Sequence, residues 1–369
     1  MPHTRRNVTV THDAADPGFS YYGRWHRGRQ AITINSGALV EFAYTGNSCT
    51  LVFDVAPFTH YPGILVQVDE GPVVKTALSA EVSTIPVTPL YHAPPDGAPP
   101  FAAVASNHHL VRFWTACHSL YQTEAAGKQW ATLVGGCKFQ GINLNGGSLP
   151  PLPYNARQIE FLGDSITQGL RLLYTRADMD GTEPDIGRQM PPLNWPQITA
   201  SLLGMKPVVT GFGGQGLSVP GTCGTPPAAA AFPYVYDRIE WRPAVHPRLV
   251  VIYHGTNDGN LAPRPFHDLY TPYLNAIRQA YPAAAIYAVC PHPTGQFATA
   301  IADAVAGQAD PAIHFLDYSH GVISAAETCD GCHLNPGGAI RLATRLAADL
   351  ATKESRPVLP PAGSPVPRY

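Results

Sequence analysis

"NGGSLPPLPYNARQIEFLGDSITQG", residues 145–169, is where the chain changes rhythm. Its first nine residues mix Gly and Pro, which suit neither a helix nor a central strand, so they read as a stiff linker. The apolar run "IEFL" (159–162) follows, and "GDSITQG" (163–169) begins directly after it. Upstream, from about residue 30, apolar and polar residues alternate in "ALVEFAY" (38–44), "CTLVFDV" (49–55), "ILVQVDEGPVVKT" (64–76) and "LVRFWTA" (110–116), with a turn expected from Asp69 to Pro72. A period of two predicts half-buried antiparallel strands, and with no long helical pattern among them a β-sandwich follows.

Downstream the pattern is a succession of short apolar runs: "IEFL", "PVVTG" (207–211), "LVVIYH" (249–254), "AIYAVC" (285–290) and "IHFLDY" (313–318). Helical stretches separate them, among them 193–204 and 264–281. The last helix is marked most clearly, with Asn335 as N-cap, Pro336 at its first position and Leu342, Leu346 and Leu350 on one face. Strand and helix in alternation predict a parallel sheet covered on both faces. The expected organisation is therefore an all-β sandwich over 1–147, a three-layer α/β/α domain over 148–356, and a Pro-rich tail over 357–369 that is loose or lies extended on the surface.

Bulk composition narrows the function classes. A chain of 369 residues with 45% apolar and 14% charged residues is long enough for two packed cores. Its net charge of -2, without a basic run, lacks the electrostatic footprint of a nucleic-acid binder. No stretch approaches the length needed to cross a bilayer, and "MPHTRRNVTVTHDAADPGFS" (1–20) has no apolar export segment. The expectation is a cytoplasmic location unless a leader has been removed, with no membrane partner. Seven cysteines, an odd number without framework spacing, suit reduced thiols better than a disulfide scaffold.

In open parallel sheets, ligands bind beyond the carboxyl ends of the strands. Those ends carry "GDSITQG" after the first run, "GFGGQG" (211–216) after the second, "GTNDGN" (255–260) after the third and "DGCHLN" (330–335) after the fifth. Each brings a group suited to one task of acyl transfer. A serine hydroxyl, Ser165, needs a base to accept its proton, and a neutral His333 would serve. Asp330, three residues earlier and about one turn away, would fix the imidazole tautomer. The oxyanion of a tetrahedral intermediate would be met by the N–H of Ser165, one N–H from the glycine loop and the amide of Asn257.

"GDSIT", the glycine loop, "GTND" and "DGCHLNPGG" resemble, in content and order, the four blocks of the SGNH (GDSL-type) hydrolases over roughly residues 157–352. The resemblance implies Ser165 as nucleophile, Asn257 as oxyanion donor and Asp330 with His333 as the acid–base pair. The second block lacks the family's usual Asn and Ser, so its glycine donor is assigned to Gly214, with Gly213 and Gly216 as alternatives. "GRW" (23–25), the strand run, and "FQGINLNGG" (139–147) entering "RQIEFLGDSITQG" also resemble the jelly-roll domain of carbohydrate esterase family 2 and related deacetylases. This second resemblance implies removal of acetyl groups from sugar hydroxyls. Some of that group work with a Ser-His dyad, whereas this chain keeps an Asp.

Competing readings of the same residues are weaker. A Gly-Asp-Ser alone could cap a helix through Asp164 or Ser165. Residues 211–216 fit G-x-G-x-x-G, but Pro220, Gly221 and Pro226 forbid the long helix a dinucleotide site needs. Cys329, Cys332 and His333 spell C-x-x-C-H. Haem attachment would require export and an axial partner, and zinc a second close cysteine pair, so neither is expected; oxidation of the two thiols is a residual possibility. His254 is expected to be structural and Asp258 to brace its loop. Trp195, Trp241 and Tyr253 stand as core residues or sugar-stacking walls, and His108 and His109 as solvated strand ends. The sequence thus points to a serine esterase for a small-molecule, oligosaccharide or polysaccharide ester, acetyl preferred, without metal or organic cofactor. The rivals are an esterase, lipase or thioesterase for another small acyl group, and an inactive carbohydrate-binding protein.

Overall fold

The computed structural model describes residues 9–46, 48–56, 58–87, 108–118, 129–174 and 185–354; the Pro-rich tail lies outside them. In the N-terminal half two antiparallel sheets face each other. One runs His26–Arg27, Ala31–Thr33, Cys137–Asn145, Cys49–Phe53, Thr84–Val87, with Thr9–Asp13 also paired to Cys137–Asn145. The other runs Ser20–Tyr22, Leu39–Thr45, His108–Ala116, Gly63–Val68, Val74–Ala77. Alternate residues of both sheets turn inward, so that Phe113 meets Phe53 and Phe139, with the Phe113 and Phe139 rings 4.9 Å apart, and Phe42 lies in the same core. The turn expected at Asp69 is there, with Asp69 itself in the left-handed region at φ 53°.

Two details differ from the sequence expectation. Leu39–Thr45 is buried at six of its seven positions rather than on one face. Its second face, through Leu39, packs with Tyr22, Leu65, Trp114 and Ala116 against Met190 of the C-terminal half. His109 is not a solvated strand end: its ring lies 5.2 Å from that of Tyr44, and its Nδ1 is 3.0 Å from Asp69.

In the C-terminal half each apolar run becomes a parallel strand, within one residue of its expected ends: Gln158–Gly163, Lys206–Gly211, Leu249–Tyr253, Ala285–Cys290 and Ile313–Asp317. Their order in the sheet is 206–211, 158–163, 249–253, 285–290, 313–317. Helices Trp195–Leu202 and Pro336–Lys353 cover one face and Pro263–Ala280 and Ala298–Gln308 the other. This is a three-layer α/β/α arrangement. Asn335 caps the last helix by accepting the N–H of Gly338, and Leu342, Leu346 and Leu350 are fully buried beneath it, as their spacing requires. Connections leave the strands 158–163 and 249–253 in opposite directions, so a crevice opens between their carboxyl ends.

The halves are joined by more than the linker. Arg24, in the turn after Ser20–Tyr22, donates through Nε and Nη2 to Oε1 of Glu160 at 2.9 and 2.8 Å, and both side chains are essentially inaccessible. Its Nη1 donates to the carbonyls of Phe232 and Tyr234. Lys206 reaches Glu41 at 2.6 Å. The first linker residues stay with the sandwich, because Ser148 and Thr45 exchange hydrogen bonds and Leu149 packs on its core.

Candidate active site

Three strand ends meet in the crevice. After Gly163 the chain turns, and Asp164 caps the short helix Ser165–Gln168 by accepting the N–H of Ile166 at 2.9 Å. The capping expected of a Gly-Asp-Ser is thus real, and Asp164 performs it. That leaves the hydroxyl of Ser165 free for another partner. Trp195 is fully buried and donates its indole N–H to Ile166 O at 3.0 Å, so it supports this helix from below and does not stack on a ligand. Tyr253 is likewise core, whereas Trp241 is half-buried before the amino end of strand 249–253, at the far end of the sheet from Ser165.

The partner of Ser165 is His333. Ser165 Oγ lies 2.9 Å from Nε2, and on the other side of the ring Nδ1 lies 2.6 Å from Asp330 Oδ2. With Nδ1–H donating to the carboxylate, Nε2 is left to accept the serine proton. Asp330 and His333 are not one helical turn apart, as their spacing suggested. Residues 329–334 form a non-helical loop in which Asp330 Oδ1 accepts the N–H of Cys332 at 3.0 Å and of His333 at 2.7 Å, with Gly331 at φ 87°. An aspartate that bonds the backbone two and three residues on offers the chain an alternative to helix, and here the alternative prevails.

Arg171, which the sequence reading passed over, donates to the same Oδ2 at 2.7 Å. Burial alone would raise the Asp330 pKa, but the hydrogen bonds and charge of His333 and the hydrogen bond from Arg171 outweigh it and hold this carboxyl well below the ordinary range. A second residue missed is His292, at the end of strand 285–290. Its Nε2 donates to Cys332 O at 3.0 Å while Nδ1 accepts from the Tyr253 hydroxyl at 2.8 Å, so it props the loop that carries His333. Burial pushes its pKa down to about 4.

The glycine loop separates its three candidates. Gly213 N–H is taken by Gln168 Oε1 at 3.0 Å and Gly216 N–H by Val219 O at 3.1 Å. Gly214, at φ 70° and partly accessible, has no such acceptor among the described residues, and the space where a Cβ would stand is open. Asn257 bridges the neighbouring loops, donating from Nδ2 to Gln215 O at 3.0 Å and to Asp164 Oδ2 at 3.2 Å. Asp258 does brace, as expected, but the loop it braces is the glycine loop: its carboxylate accepts Leu217 N–H, Ser218 N–H and Ser218 Oγ–H between 2.7 and 3.0 Å. His254 is buried beside Gln215, and that burial lowers its pKa to about 4. Burial has the opposite effect on the acid Asp164, raising it to about 6.

The sandwich contributes to this wall. Gln168 Nε2 donates to His118 O at 2.9 Å, and the His118 ring stacks on Phe212 with centroids 5.2 Å apart, which holds the glycine loop from behind. The cysteines of C-x-x-C-H are both free thiols; burial pushes Cys329 up to about 11 and Cys332 up to about 12.

The GDSL-like Lipase/Acylhydrolase family model matches residues 161–339. No curated protein matches the chain. Among solved structures, a family two carbohydrate esterase from Clostridium thermocellum in complex with cellohexaose is 20% identical, with 92% of this chain and 99% of that one covered and a TM-score of 0.72. An acetyl xylan esterase from the rumen bacterium Butyrivibrio proteoclasticus is 14% identical over 94% and 99% of the two chains, at a TM-score of 0.74. A salicylyl-acyltransferase from a tetracycline biosynthetic pathway is 15% identical over 95% and 99%, at 0.62. These likenesses extend over both halves of the molecule and show its fold. Residues 161–339 thus match the GDSL-like lipase/acylhydrolase family model, within a chain whose whole fold is similar to that of the family two carbohydrate esterases.

Proposed function

We propose that the protein is a serine esterase that removes acyl groups, acetyl by preference, from carbohydrate hydroxyls through an acyl-enzyme on Ser165. The observation that carries this reading is the continuous path from Ser165 Oγ through the His333 ring to Asp330, at 2.9 and 2.6 Å. His333 Nε2 takes the serine proton as Oγ attacks the ester carbonyl. The oxyanion is met by the N–H groups of Ser165 and Gly214 and by Asn257, whose longer bond to Asp164 is the one exchanged for it. Collapse expels the sugar alkoxide, which receives the proton from His333. Water, deprotonated by the same nitrogen, then hydrolyses the acyl-serine.

The sugar half of the reading is supported by the two-domain fold shared with the family two esterases, and we read the N-terminal sandwich as their jelly-roll domain. Ser165→Ala should abolish ester hydrolysis and leave the fold intact; undiminished turnover would refute the assignment. Acetate release from acetylated mono- and oligosaccharides, set against p-nitrophenyl esters of increasing chain length, separates a sugar deacetylase from an esterase for another acyl group. Binding of sugars without any release of acid would instead identify a non-catalytic binding protein.

A further inference from the structure

Arg171 is six residues beyond Ser165 on the same segment, past the left-handed Gly169 that closes the short helix. Its own backbone is left-handed, at φ 58°, a conformation that residues with a Cβ adopt seldom. Leu170 and Leu172 on either side are buried, which locks the turn, and Tyr174 N–H bonds back to Arg171 O at 2.8 Å. This geometry delivers the guanidinium to Asp330. Arg171 Nη1 and His333 Nδ1 both address Oδ2, at 2.7 and 2.6 Å, in a setting where the Arg171 and Asp330 side chains are only 14% and 9% exposed. A closed circuit results: Ser165 to His333, His333 to Asp330, Asp330 to Arg171, and Arg171 back to Ser165 along the chain.

We infer that Arg171 is a positioning residue of the reaction proposed above, one that clamps Asp330 and offsets part of its charge, so that turnover extends further to the acid side. The inference rests on Ser165 and His333 acting as nucleophile and base. An isolated aspartate beside an imidazole favours the imidazolium, the form that cannot take the serine proton. A cation on the same oxygen weakens that preference while leaving the orienting hydrogen bond in place. Among the described residues, the other titratable groups interacting with this cluster are Cys329 and Cys332 on the loop, Asp164 and His292 from other strand ends, and Tyr174, whose ring also carries Arg188 at 5.9 Å. Burial keeps both thiols protonated and His292 neutral at pH 5–8. Asp164, raised to about 6, titrates in the same window, so the effect is read as a difference between variant and wild type.

The test compares Arg171→Gln, which keeps a donor to Asp330 and removes the charge, with Arg171→Lys, which keeps the charge. In Arg171→Gln the acid limb of kcat/KM should move up by about one pH unit, while KM at the plateau changes little. In Arg171→Lys the limb should stay near its wild-type position. NMR titration of the His333 ring in a Ser165→Ala background reads the same coupling without turnover. It distinguishes failure of this inference from failure of the esterase reading, which wild-type and Ser165→Ala hydrolysis test directly. An acid limb and a ring titration both unmoved in Arg171→Gln would overturn the inference and leave Arg171 a structural tie.

Discussion

Arg24→Met removes the cation from a pair that has no access to water. In the wild type the guanidinium makes two bonds to Glu160 Oε1 and two to the carbonyls of Phe232 and Tyr234. Its loss strands a carboxylate inside strand 158–163, the strand that delivers Ser165. Breaking one partner of a buried pair costs about 3–5 kcal/mol, because the remaining charge is left uncompensated. At about 2–4 °C per kcal/mol for a domain of this size, the melting midpoint should fall by roughly 6–20 °C. Replacing the pair whole, as Arg24→Met with Glu160→Met, removes both charges, and the double variant should recover at least half of the loss. Thermal and urea melts of the four proteins give the cycle. Strictly additive losses would refute the reasoning, since they would mean that the two side chains stabilise the fold independently.

Other expectations concern the site. Asn257→Ala should lower kcat by about 10²–10³ with little change in KM, measured by steady-state kinetics on a soluble ester. Asp164→Asn keeps a cap but removes a carboxyl that burial raises to about 6. The folded state binds that proton more tightly than the unfolded chain does, so its contribution favours the fold at low pH and is lost as pH rises from about 4 through about 6. The variant should therefore melt higher than wild type at pH 8 and lose this advantage near pH 4. Asp330 has the opposite sign: its stabilisation is present above about pH 4 and disappears only as the pH falls through its depressed value. Paired Cys329→Ser and Cys332→Ser substitutions should keep most of the activity, and both wild-type thiols should resist alkylation at pH 8, because burial holds them protonated.

The sequence carried the C-terminal fold well, because parallel strands buried on both faces read as short apolar runs and each run ended at a polar loop. Ser165, Asn257, Asp330 and His333 stood out as candidates for the same reason: each follows a strand end. What escaped was set by tertiary contact. Arg171 and His292 act through partners 159 and 40 residues away, and no local pattern distinguishes them from surface or core residues. The signal for His292 was available, as strand 285–290 was the one run whose carboxyl end had been given no task. Choosing among Gly213, Gly214 and Gly216 required knowing which N–H groups the fold had already used. The Asp330 turn was misread as helical because a three-residue spacing fits both a helix and a loop closed by the aspartate itself.

In the proposed reaction the acyl group passes through the oxygen of Ser165. Rapid quenching of the enzyme with a slowly hydrolysed ester, followed by mass spectrometry of the intact protein and its peptides, tests it most directly. One acyl group is expected on the peptide that contains Ser165, and none in Ser165→Ala. Turnover with no acyl adduct under conditions where deacylation is slow, or an adduct on a different residue, would contradict it.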